Sequence, residues 1–305
     1  MASAPTTPEH SSLTGMILAA AAFGLLTAVD TIFKYVSLSG YSSYQILFIN
    51  AIFALIPILT WTMMTGGLVR LRTTRPMQHM ARGATSVMSA FAAIYAYTHI
   101  PLTNFYAIVF AGPLLVTIMS AFWLNEKVDN ARWLAIVVGF MGIMIVANPF
   151  DDAAATRNTG VLAGRFAAFI SVFCYALSAV VVRRMRLGET NMTFAFYGYI
   201  SCILITALFL LLRGGIEMHF KDVMHLALSG TLAGISSICL MTAYHRTPVA
   251  LVAPFQYTQI IWGAISGYLI WSNIPSFRLL VGAGVVATCG LFVIYREMRV
   301  SGRSV

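Results

Sequence analysis

Apolar residues run through this chain in long blocks that are separated by short polar connections. Ten blocks of about twenty residues can be drawn, and we predict a membrane-spanning helix in each. At 1.5 Å per residue, a block of this length crosses the hydrocarbon core of a bilayer, which is about 30 Å thick. The pattern therefore predicts an all-α integral membrane protein with ten transmembrane helices. The predicted spans cover 13–36, 43–65, 80–98, 104–124, 130–147, 161–182, 192–212, 223–243, 250–271 and 278–295.

The composition is typical of a chain that resides in lipid. Hydrophobic residues make up 59 % of the chain and charged residues 10 %, against about 25 % in ordinary globular domains. The net charge of +9 is spread over short loops that contain no nucleic-acid motif. The four cysteines fall inside apolar blocks without metal-site spacing, so we expect small core residues. We expect a monomer whose partners are a small-molecule substrate and membrane lipid. No cofactor, metal or nucleic acid is expected.

The distribution of Lys and Arg predicts the orientation of the chain in the membrane. Thirteen of these 19 residues fall on the side that holds both termini and the even-numbered loops, and six fall on the other. Because cytoplasmic loops are enriched in Lys and Arg, we predict that both termini are cytoplasmic. The N-terminal tail has neither residue and is a poor signal peptide, so the first block is interpreted as an uncleaved span.

The two halves of the chain resemble each other. A shift of 147 residues carries YTHIPLTNFYAIVFAGP (97–113) onto YHRTPVALVAPFQYTQI (244–260), with Tyr97 on Tyr244 and Pro101 on Pro248. With five spans on each side of the connecting segment, the second copy must enter the membrane in the opposite orientation. Inverted repeats are common in secondary transporters, whose substrate site lies near the midplane where the repeats meet. The predicted parts are a tail at 1–12, a five-helix repeat at 13–147, an external linker at 148–160, a second five-helix repeat at 161–295 and a tail at 296–305.

The segment YAYTHIPLTNFYAIVFAGPLLVTIMSAFWLNEKVDNARWLAIVVGFMGIMIVANP (95–149) combines four features. It has a short Pro-Leu loop, a proline in the middle of the fourth span, a Glu at the end of that span and a Gly-containing fifth span. With them the chain resembles the drug/metabolite transporter superfamily, in its EamA-type branch of ten-span, two-repeat carriers. Within this superfamily it is similar to the amino-acid exporters of the YddG-like group. The resemblance covers nearly the whole chain and implies transport by alternating access across a bacterial inner membrane.

Two positions depart from the pattern of that superfamily. Asn50 stands where an Arg is expected, and Asn273 replaces the acid that often ends the ninth span. Roles of charged residues in the family are therefore not carried over to this chain.

Pro113 stands in the middle of the fourth predicted span. A proline inside a helix removes its own N–H and displaces the carbonyl four residues earlier, here that of Val109. In a membrane, such a break survives inside protein or beside a water-filled cavity. Two interpretations stay open: a kink that lines the substrate pathway, or a static kink whose carbonyl is satisfied by a neighbouring Ser or Thr.

Charged residues are rare inside the predicted spans. Asp30 is the only acid well inside one, and Lys34 lies one turn away on the same helical face. Asp30 either carries protons or binds an amine, as intramembrane acids often do, or it forms a structural ion pair with Lys34. Glu126 ends the fourth span, and we expect it to fix the turn to the fifth span.

The ninth predicted span has the densest group of polar and aromatic residues. Gln256, Gln259 and Trp262 fall at helical spacing on one face, with Trp262 near mid-span rather than in the interfacial belt. This face either stacks on a flat substrate and bonds its polar ends, or packs against other helices. Tyr95 in the third span and Tyr175 in the sixth are weaker candidates for the substrate site.

The predicted midplanes contain neither Lys nor Arg. This argues against sugar phosphates and nucleotide sugars, because a dry cavity meets such anions with fixed cations. We therefore predict an exporter of amino acids with broad specificity, aromatic ones included. The alternatives are purines, a flavin-type vitamin or an adenosyl metabolite.

Two other classes of protein compete with a carrier. A membrane enzyme acting on lipid would need a cluster of His, Asp, Glu or Cys near one interface, which this sequence lacks. A packing subunit has no need of matched halves. We therefore predict a transporter and no enzymatic activity.

Overall fold

The computed structural model describes residues 8–123, 129–147, 159–185, 191–247 and 249–301. Every regular element within these residues is helical. In chain order they are α1 (Pro8–Ser37), α2 (Ser43–Thr65), a 3-10 turn (Leu68–Leu71), α3 (Pro76–His99), α4 (Leu102–Val109), α5 (Gly112–Trp123), α6 (Asn130–Ala147), α7 (Thr159–Met185), α8 (Asn191–Arg213), α9 (Phe220–Arg246), α10 (Val249–Val252), a 3-10 segment (Ala253–Thr258), α11 (Gln259–Trp271) and α12 (Phe277–Ser301).

Seven stretches of the described helices are long and apolar enough to cross a bilayer. They lie at Leu13–Ser37, Ser43–Thr65, Leu102–Trp123, Gly160–Val182, Met192–Arg213, Phe220–Arg246 and Phe277–Arg296. In lipid each backbone N–H and C=O must be bonded within the protein, and long helices achieve this. The chain is therefore a multi-pass integral membrane protein, as the hydropathy pattern predicts. The first turns of α3 hold the polar residues Gln78, His79 and Arg82, which lower its apolar character.

Most of the predicted spans agree with the helix bounds to within a few residues. The spans 43–65 and 130–147 coincide with α2 and α6. The predicted span 104–124, in which Pro113 indicated a kink, corresponds to the apolar stretch Leu102–Trp123, and both this span and 250–271 are interrupted. Two residues separate α4 from α5, and a 3-10 segment precedes α11. A proline lies at each interruption: Pro113 just after the end of the first, and Pro254 just after the start of the second. The missing N–H of a proline prevents a regular helix from continuing.

Glycine allows the closest crossings between helices. A methyl group at Gly230 of α9 would overlap the carbonyl oxygen of Asn50 on α2. On the other side of the bundle, one at Gly142 of α6 would lie 3.1 Å from the carbonyl oxygen of Gly282 on α12. Small residues at such crossings let membrane helices approach until their backbones touch. The side chain of any larger residue would force these helices apart.

Buried polar side chains bond across the helix interfaces. Asn50 is 4 % exposed and donates to the Ser229 hydroxyl at 2.9 Å, so it joins α2 to α9. Ser86 of α3 pairs with Ser178 of α7 at 3.0 Å between their hydroxyl oxygens. Lipid tails are as apolar as the helix surfaces, so the hydrophobic effect does not drive helices together within the bilayer. Hydrogen bonds of this kind help to hold them together instead. The four cysteines are free thiols; Cys202 and Cys289 are buried, as expected of core residues, and Cys174 and Cys239 are partly buried.

The long helices pack in pairs around the interrupted ones. α1 packs along α9 and α3 along α7, α2 contacts both α8 and α9, and α6 lies along α12. The interrupted elements lie between these pairs, since α4 contacts α7 and α11, and α11 contacts α1. The two breaks are thus brought together in the interior of the bundle.

Candidate functional site

The first break separates α4 from α5 inside the protein. Phe110 and Ala111 form it, and they are 1 % and 0 % exposed. Pro113 is the second residue of α5. The first N–H groups of a helix have no partner within it, so the missing N–H of Pro113 costs nothing there. The expected kink is therefore a full interruption, where carbonyl groups at the end of α4 lack regular helical partners.

The second break is the 3-10 segment Ala253–Thr258, which precedes α11. The sequence predicted that Gln256, Gln259 and Trp262 share one face of an α-helix. Gln256 instead lies within the 3-10 segment, outside the regular helix that holds the other two. Gln259 is the first residue of α11 and is 7 % exposed. Trp262 is 46 % exposed, and its indole nitrogen lies 3.6 Å from the position that a Cβ on Gly24 of α1 would occupy. Trp262 therefore lies at the boundary between α11 and α1.

The two breaks contact each other directly. The rings of Phe110 and Tyr257 meet edge to face, with centroids 4.7 Å apart and planes at 77°. One turn before the first break, the ring of Tyr106 packs on Gly263 of α11. A methyl group at Gly263 would come within 2.7 Å of this ring, so only glycine fits without a shift. Facing, interrupted helices are the arrangement in which secondary transporters form substrate sites.

Asp30 of α1 lies beside these contacts. The hydroxyl of Tyr106 donates to its Oδ2 atom at 2.8 Å. The buried Tyr97 of α3 also interacts with this carboxylate through its side chain. The acid is therefore held where α1, α3 and α4 meet, one turn from the first break.

Lys34 has partners other than Asp30. Its ammonium donates to the carbonyl oxygen of Ile100, the residue that caps the C-terminus of α3, at 2.7 Å. It also lies 5.2 Å from the ring centre of Trp271. A cation is favoured both at a helix C-terminus and over an aromatic face. The Asp30–Lys34 ion pair, one of the two alternatives drawn from their one-turn spacing, is not formed in the described part of the chain, because each side chain has a partner on another helix.

The two tyrosines singled out from the sequence differ in their surroundings. Tyr175 of α7 is 50 % exposed, and its ring lies 3.7 Å from the position of a Cβ on Gly112, so it faces the first break. Tyr95 is 46 % exposed and stacks on His99, with ring centroids 4.4 Å apart. The structure thus brings Tyr175 to the first break and leaves Tyr95 at the end of α3.

Sequence reasoning did not single out Tyr106, Phe110 and Tyr257. One signal was available for the aromatic pair, because the 147-residue shift carries Phe110 onto Tyr257. No sequence pattern distinguishes Tyr106 from its neighbours. Gly263 opens the pattern GAISG (263–267), which predicts close helix packing but does not identify the partner helix.

Glu126, expected to fix the turn after the fourth span, lies outside the described residues. An ion pair is present just beyond it, where Arg296 of α12 donates to Asp129. The Arg132 Nε atom lies 3.4 Å from the other carboxylate oxygen of Asp129. The hydrogen bond from Arg296 lowers the pKa of Asp129 below its ordinary value. These charges join the start of α6 to the last turns of α12.

Two separate regions of the chain, residues 11–148 and 162–296, match the EamA-like transporter family. The chain belongs to this family. The resemblance drawn from the 95–149 segment is thereby confirmed, and the protein is a membrane transporter. Each matched region contains one of the two breaks.

Several transporters are similar to this chain over most of its length. It is 25 % identical over 281 residues to the S-adenosylmethionine uptake transporter of Rickettsia felis, which covers 91 % of each chain. It is 27 % identical over 303 residues to the riboflavin transporter of Vibrio cholerae, covering 97 % of each. It is 22 % identical over 287 residues to the pseudopaline exporter of Pseudomonas aeruginosa, covering 93 % of this chain and 97 % of the other. These names do not support the predicted export of amino acids, and a different metabolite fits them better.

One solved crystal structure superimposes on this chain with a TM-score of 0.64. The match covers 95 % of this chain and 98 % of the other at 16 % sequence identity. At that identity the likeness concerns the fold alone.

Proposed function

We propose that this transporter carries a cationic metabolite with a flat heteroaromatic ring, of the adenosyl type that S-adenosylmethionine represents. The observation that carries the proposal is the Asp30 carboxylate, held by Tyr106 beside the two breaks. A carboxylate inside a membrane protein needs a counter-charge, and Lys34 is bound to Ile100 instead. A sulfonium or ammonium group on the substrate supplies that charge.

Aromatic and amide side chains near the breaks support a flat substrate. Trp262 and Tyr175 are each about half exposed, so both rings offer free surface for stacking. Gln259 offers a donor and an acceptor for the polar edge of a heterocycle or for ribose hydroxyls. Together with Asp30, these groups match the ring, sugar and cation of an adenosyl sulfonium compound.

A flavin-type vitamin is the second candidate, favoured by the similarity to the riboflavin transporter of Vibrio cholerae. The same rings suit the flat flavin system. An uncharged flavin, however, leaves Asp30 without a counter-charge. The two candidates therefore differ in how strongly their transport depends on Asp30.

We also infer an architecture of ten spans in two inverted five-helix repeats, at 13–147 and 161–295, joined by the linker at 148–160. The helix bounds support this, because the 147-residue shift relates the starts and ends of helices in the two halves. It carries Leu102, Gly112 and Asn130, which begin α4, α5 and α6, onto Val249, Gln259 and Phe277, which begin α10, α11 and α12. In this scheme α1 corresponds to α7, and α3 corresponds to α9. The contact between α1 and α9 therefore has its equivalent in the contact between α7 and α3, and both are present. The two matches to one family model give independent support.

The charge distribution supports a bacterial inner-membrane location with both termini and the 66–79 loop in the cytoplasm. Thirteen Lys and Arg then lie on the cytoplasmic side and six outside. In this orientation Lys34, Ile100 and Trp271 lie toward the external surface, and the breaks lie deeper in the membrane.

Transport assays in proteoliposomes test the substrate. We expect uptake of labelled S-adenosylmethionine above that of protein-free vesicles, with unlabelled S-adenosylmethionine competing more strongly than phenylalanine or threonine. Saturable riboflavin uptake without S-adenosylmethionine uptake would favour the second candidate. Transport of phenylalanine and threonine alone would overturn both and restore the amino-acid hypothesis.

A further inference from the structure

A cavity of about 600 Å³ lies between α2, α3 and α8, apart from the site at the two breaks. Val87, Met88 and Phe91 of α3 form one wall, and Ile205 and Phe209 of α8 form the opposite wall. The lining residues include neither Asp30 nor any side chain that we assign to the substrate site. The cavity is therefore separate from the substrate site.

The walls of this cavity are strongly apolar. Phe209 stacks on Tyr44 with centroids 6.1 Å apart and meets Phe91 edge to face at 5.7 Å. Met88 is 56 % exposed, so its flexible thioether presents free apolar surface. Such a surface offers dispersion contacts to a hydrocarbon chain and nothing to a polar solute.

Polar groups gather at one end of the cavity. Ser43 and Tyr44 lie at the start of α2, and Arg213 is the last residue of α8. Helix ends lie at the membrane interface, where lipid phosphates are found. The opposite end reaches Ala84, near the middle of α3, so the cavity runs from the interface toward the bilayer centre. One leaflet of hydrocarbon is about 15 Å thick, and an acyl chain follows the same course.

We propose that this cavity binds a single anionic phospholipid. One acyl chain occupies the apolar part, and the exposed Arg213 guanidinium binds the phosphate. Charge complementarity favours this occupant, because a planar guanidinium matches a phosphate with two parallel hydrogen bonds. The hydroxyls of Ser43 and Tyr44, at the same end, donate to the remaining phosphate or ester oxygens. The proposal does not depend on which metabolite is transported.

Lipid titration of the purified protein, followed by native mass spectrometry, tests the site. The wild-type protein should retain phosphatidylglycerol more tightly than phosphatidylcholine. Arg213→Gln should weaken phosphatidylglycerol binding about fivefold, the effect of one basic residue at a membrane surface. Ala84→Phe, which fills the inner end of the cavity, should weaken both lipids. Lys221→Gln is the matched control: this lysine is exposed at the same side of the membrane and outside the cavity.

Two further measurements distinguish a bound lipid from a bound soluble anion and from a loss of folding. Glycerol phosphate carries the anion without an acyl chain, and we expect it to leave phosphatidylglycerol bound. If it displaces the lipid, the site is one for a soluble anion and the proposal fails. The proposal also fails if both Arg213→Gln and Ala84→Phe retain phosphatidylglycerol as the wild type does. Melting temperatures without added lipid should match the wild type, because Ala84 and Arg213 are both exposed.

Discussion

The rings of Phe110 and Tyr257 meet edge to face, 4.7 Å apart, at the junction of the two interrupted elements. The 147-residue shift that relates the halves of the chain also relates these two positions. Equivalent residues of two related halves touch each other only near the axis that exchanges the halves. In the proposed inverted repeat the pair therefore marks that axis, which is where secondary transporters have their substrate site.

Substitutions at Phe110 and Tyr257 should affect the free energy of unfolding differently. Phe110 is 1 % exposed, so Phe110→Ala should lower the free energy of unfolding by about 3–5 kcal/mol. Tyr257→Phe keeps the ring and removes a buried hydroxyl that has no hydrogen-bond partner within the described residues. This variant should be at least as stable as the wild type. Thermal unfolding in detergent measures both, and a Tyr257→Phe variant as unstable as Phe110→Ala would show that the hydroxyl stabilises the fold and would contradict the prediction.

The Asp129–Arg296 ion pair predicts a pH-dependent contribution to stability. The pKa of Asp129 is lowered in the folded state, mainly by the hydrogen bond from Arg296. Its stabilisation is therefore present above the unfolded pKa, about 4, and is lost as the pH falls through the lower folded value. Arg296→Gln should cost about 0.2–1 kcal/mol at pH 7, since the pair is partly exposed, and progressively less below pH 4. Arg132 also faces Asp129, so Asp129→Asn serves as the comparison that removes both interactions. A cost for Arg296→Gln that persists at low pH would assign the effect to packing.

Much of the fold can be predicted from the sequence, because the hydrocarbon thickness and the need to bond every backbone group leave few alternatives to long helices. The bounds of α2 and α6 follow from the ends of their apolar blocks. The positions of glycines in α9 and α12 could be noted from the sequence, but not which helix each one meets. That depends on packing between segments far apart in the chain.

The site is less predictable for a related reason. Hydropathy averaged over a whole span treats 104–124 and 250–271 as continuous blocks, because Phe110 and Ala111 are apolar and the polar residues of the 3-10 segment are outweighed by the apolar residues that follow. Only Pro113 indicates that the first block is interrupted, and it does not show whether the result is a kink or a break. Asp30 and Lys34 share a helical face, yet their partners come from α4 and α3, which periodicity along α1 cannot identify.

The proposed orientation predicts which loops are accessible from outside. In a background without the four native cysteines, Thr74→Cys should be protected from a membrane-impermeant maleimide in intact cells, and Glu217→Cys should be labelled. Both residues are exposed and lie in connections between helices, so accessibility depends on the side of the membrane alone. The opposite labelling pattern would reverse the orientation. Labelling of both positions after membrane permeabilisation is the control for thiol reactivity.

Trp262 should select for substrates that carry a flat ring. Its ring is 46 % exposed beside the second break, so Trp262→Ala should remove a stacking contact worth about 0.5–1.5 kcal/mol beyond area burial. This corresponds to roughly a two- to tenfold loss of affinity for S-adenosylmethionine or riboflavin. Methionine, which has no ring, should lose less, and the ratio does not depend on expression level. Leu269→Ala, an exposed position on the same helix, is the control. An equal loss for ringed and ringless ligands would make Trp262 a packing residue.

Asp30→Asn separates the charge of this residue from its shape. The amide oxygen still accepts the hydrogen bond from Tyr106, so the variant should fold normally. If Asp30 pairs with the sulfonium of S-adenosylmethionine, affinity should fall by roughly 10- to 150-fold, the effect of losing an interaction with a charged group. The uncharged thioether S-adenosylhomocysteine should bind the variant and the wild type almost equally.

The same variant tests whether Asp30 carries protons. A proton-carrying Asp30 predicts that Asp30→Asn loses accumulation driven by a pH gradient but keeps exchange of internal for external substrate, because exchange needs no net proton movement. Tyr106→Phe removes the hydrogen bond and leaves the charge, so it should retain both the preference for the sulfonium and the response to the gradient. If Asp30→Asn weakens S-adenosylmethionine and S-adenosylhomocysteine by the same factor, the carboxylate does not recognise the sulfonium, and its partner is the ammonium that both ligands carry. If its affinity for both ligands and its response to the gradient match the wild type, Asp30 serves only to anchor α1 to α4 through Tyr106.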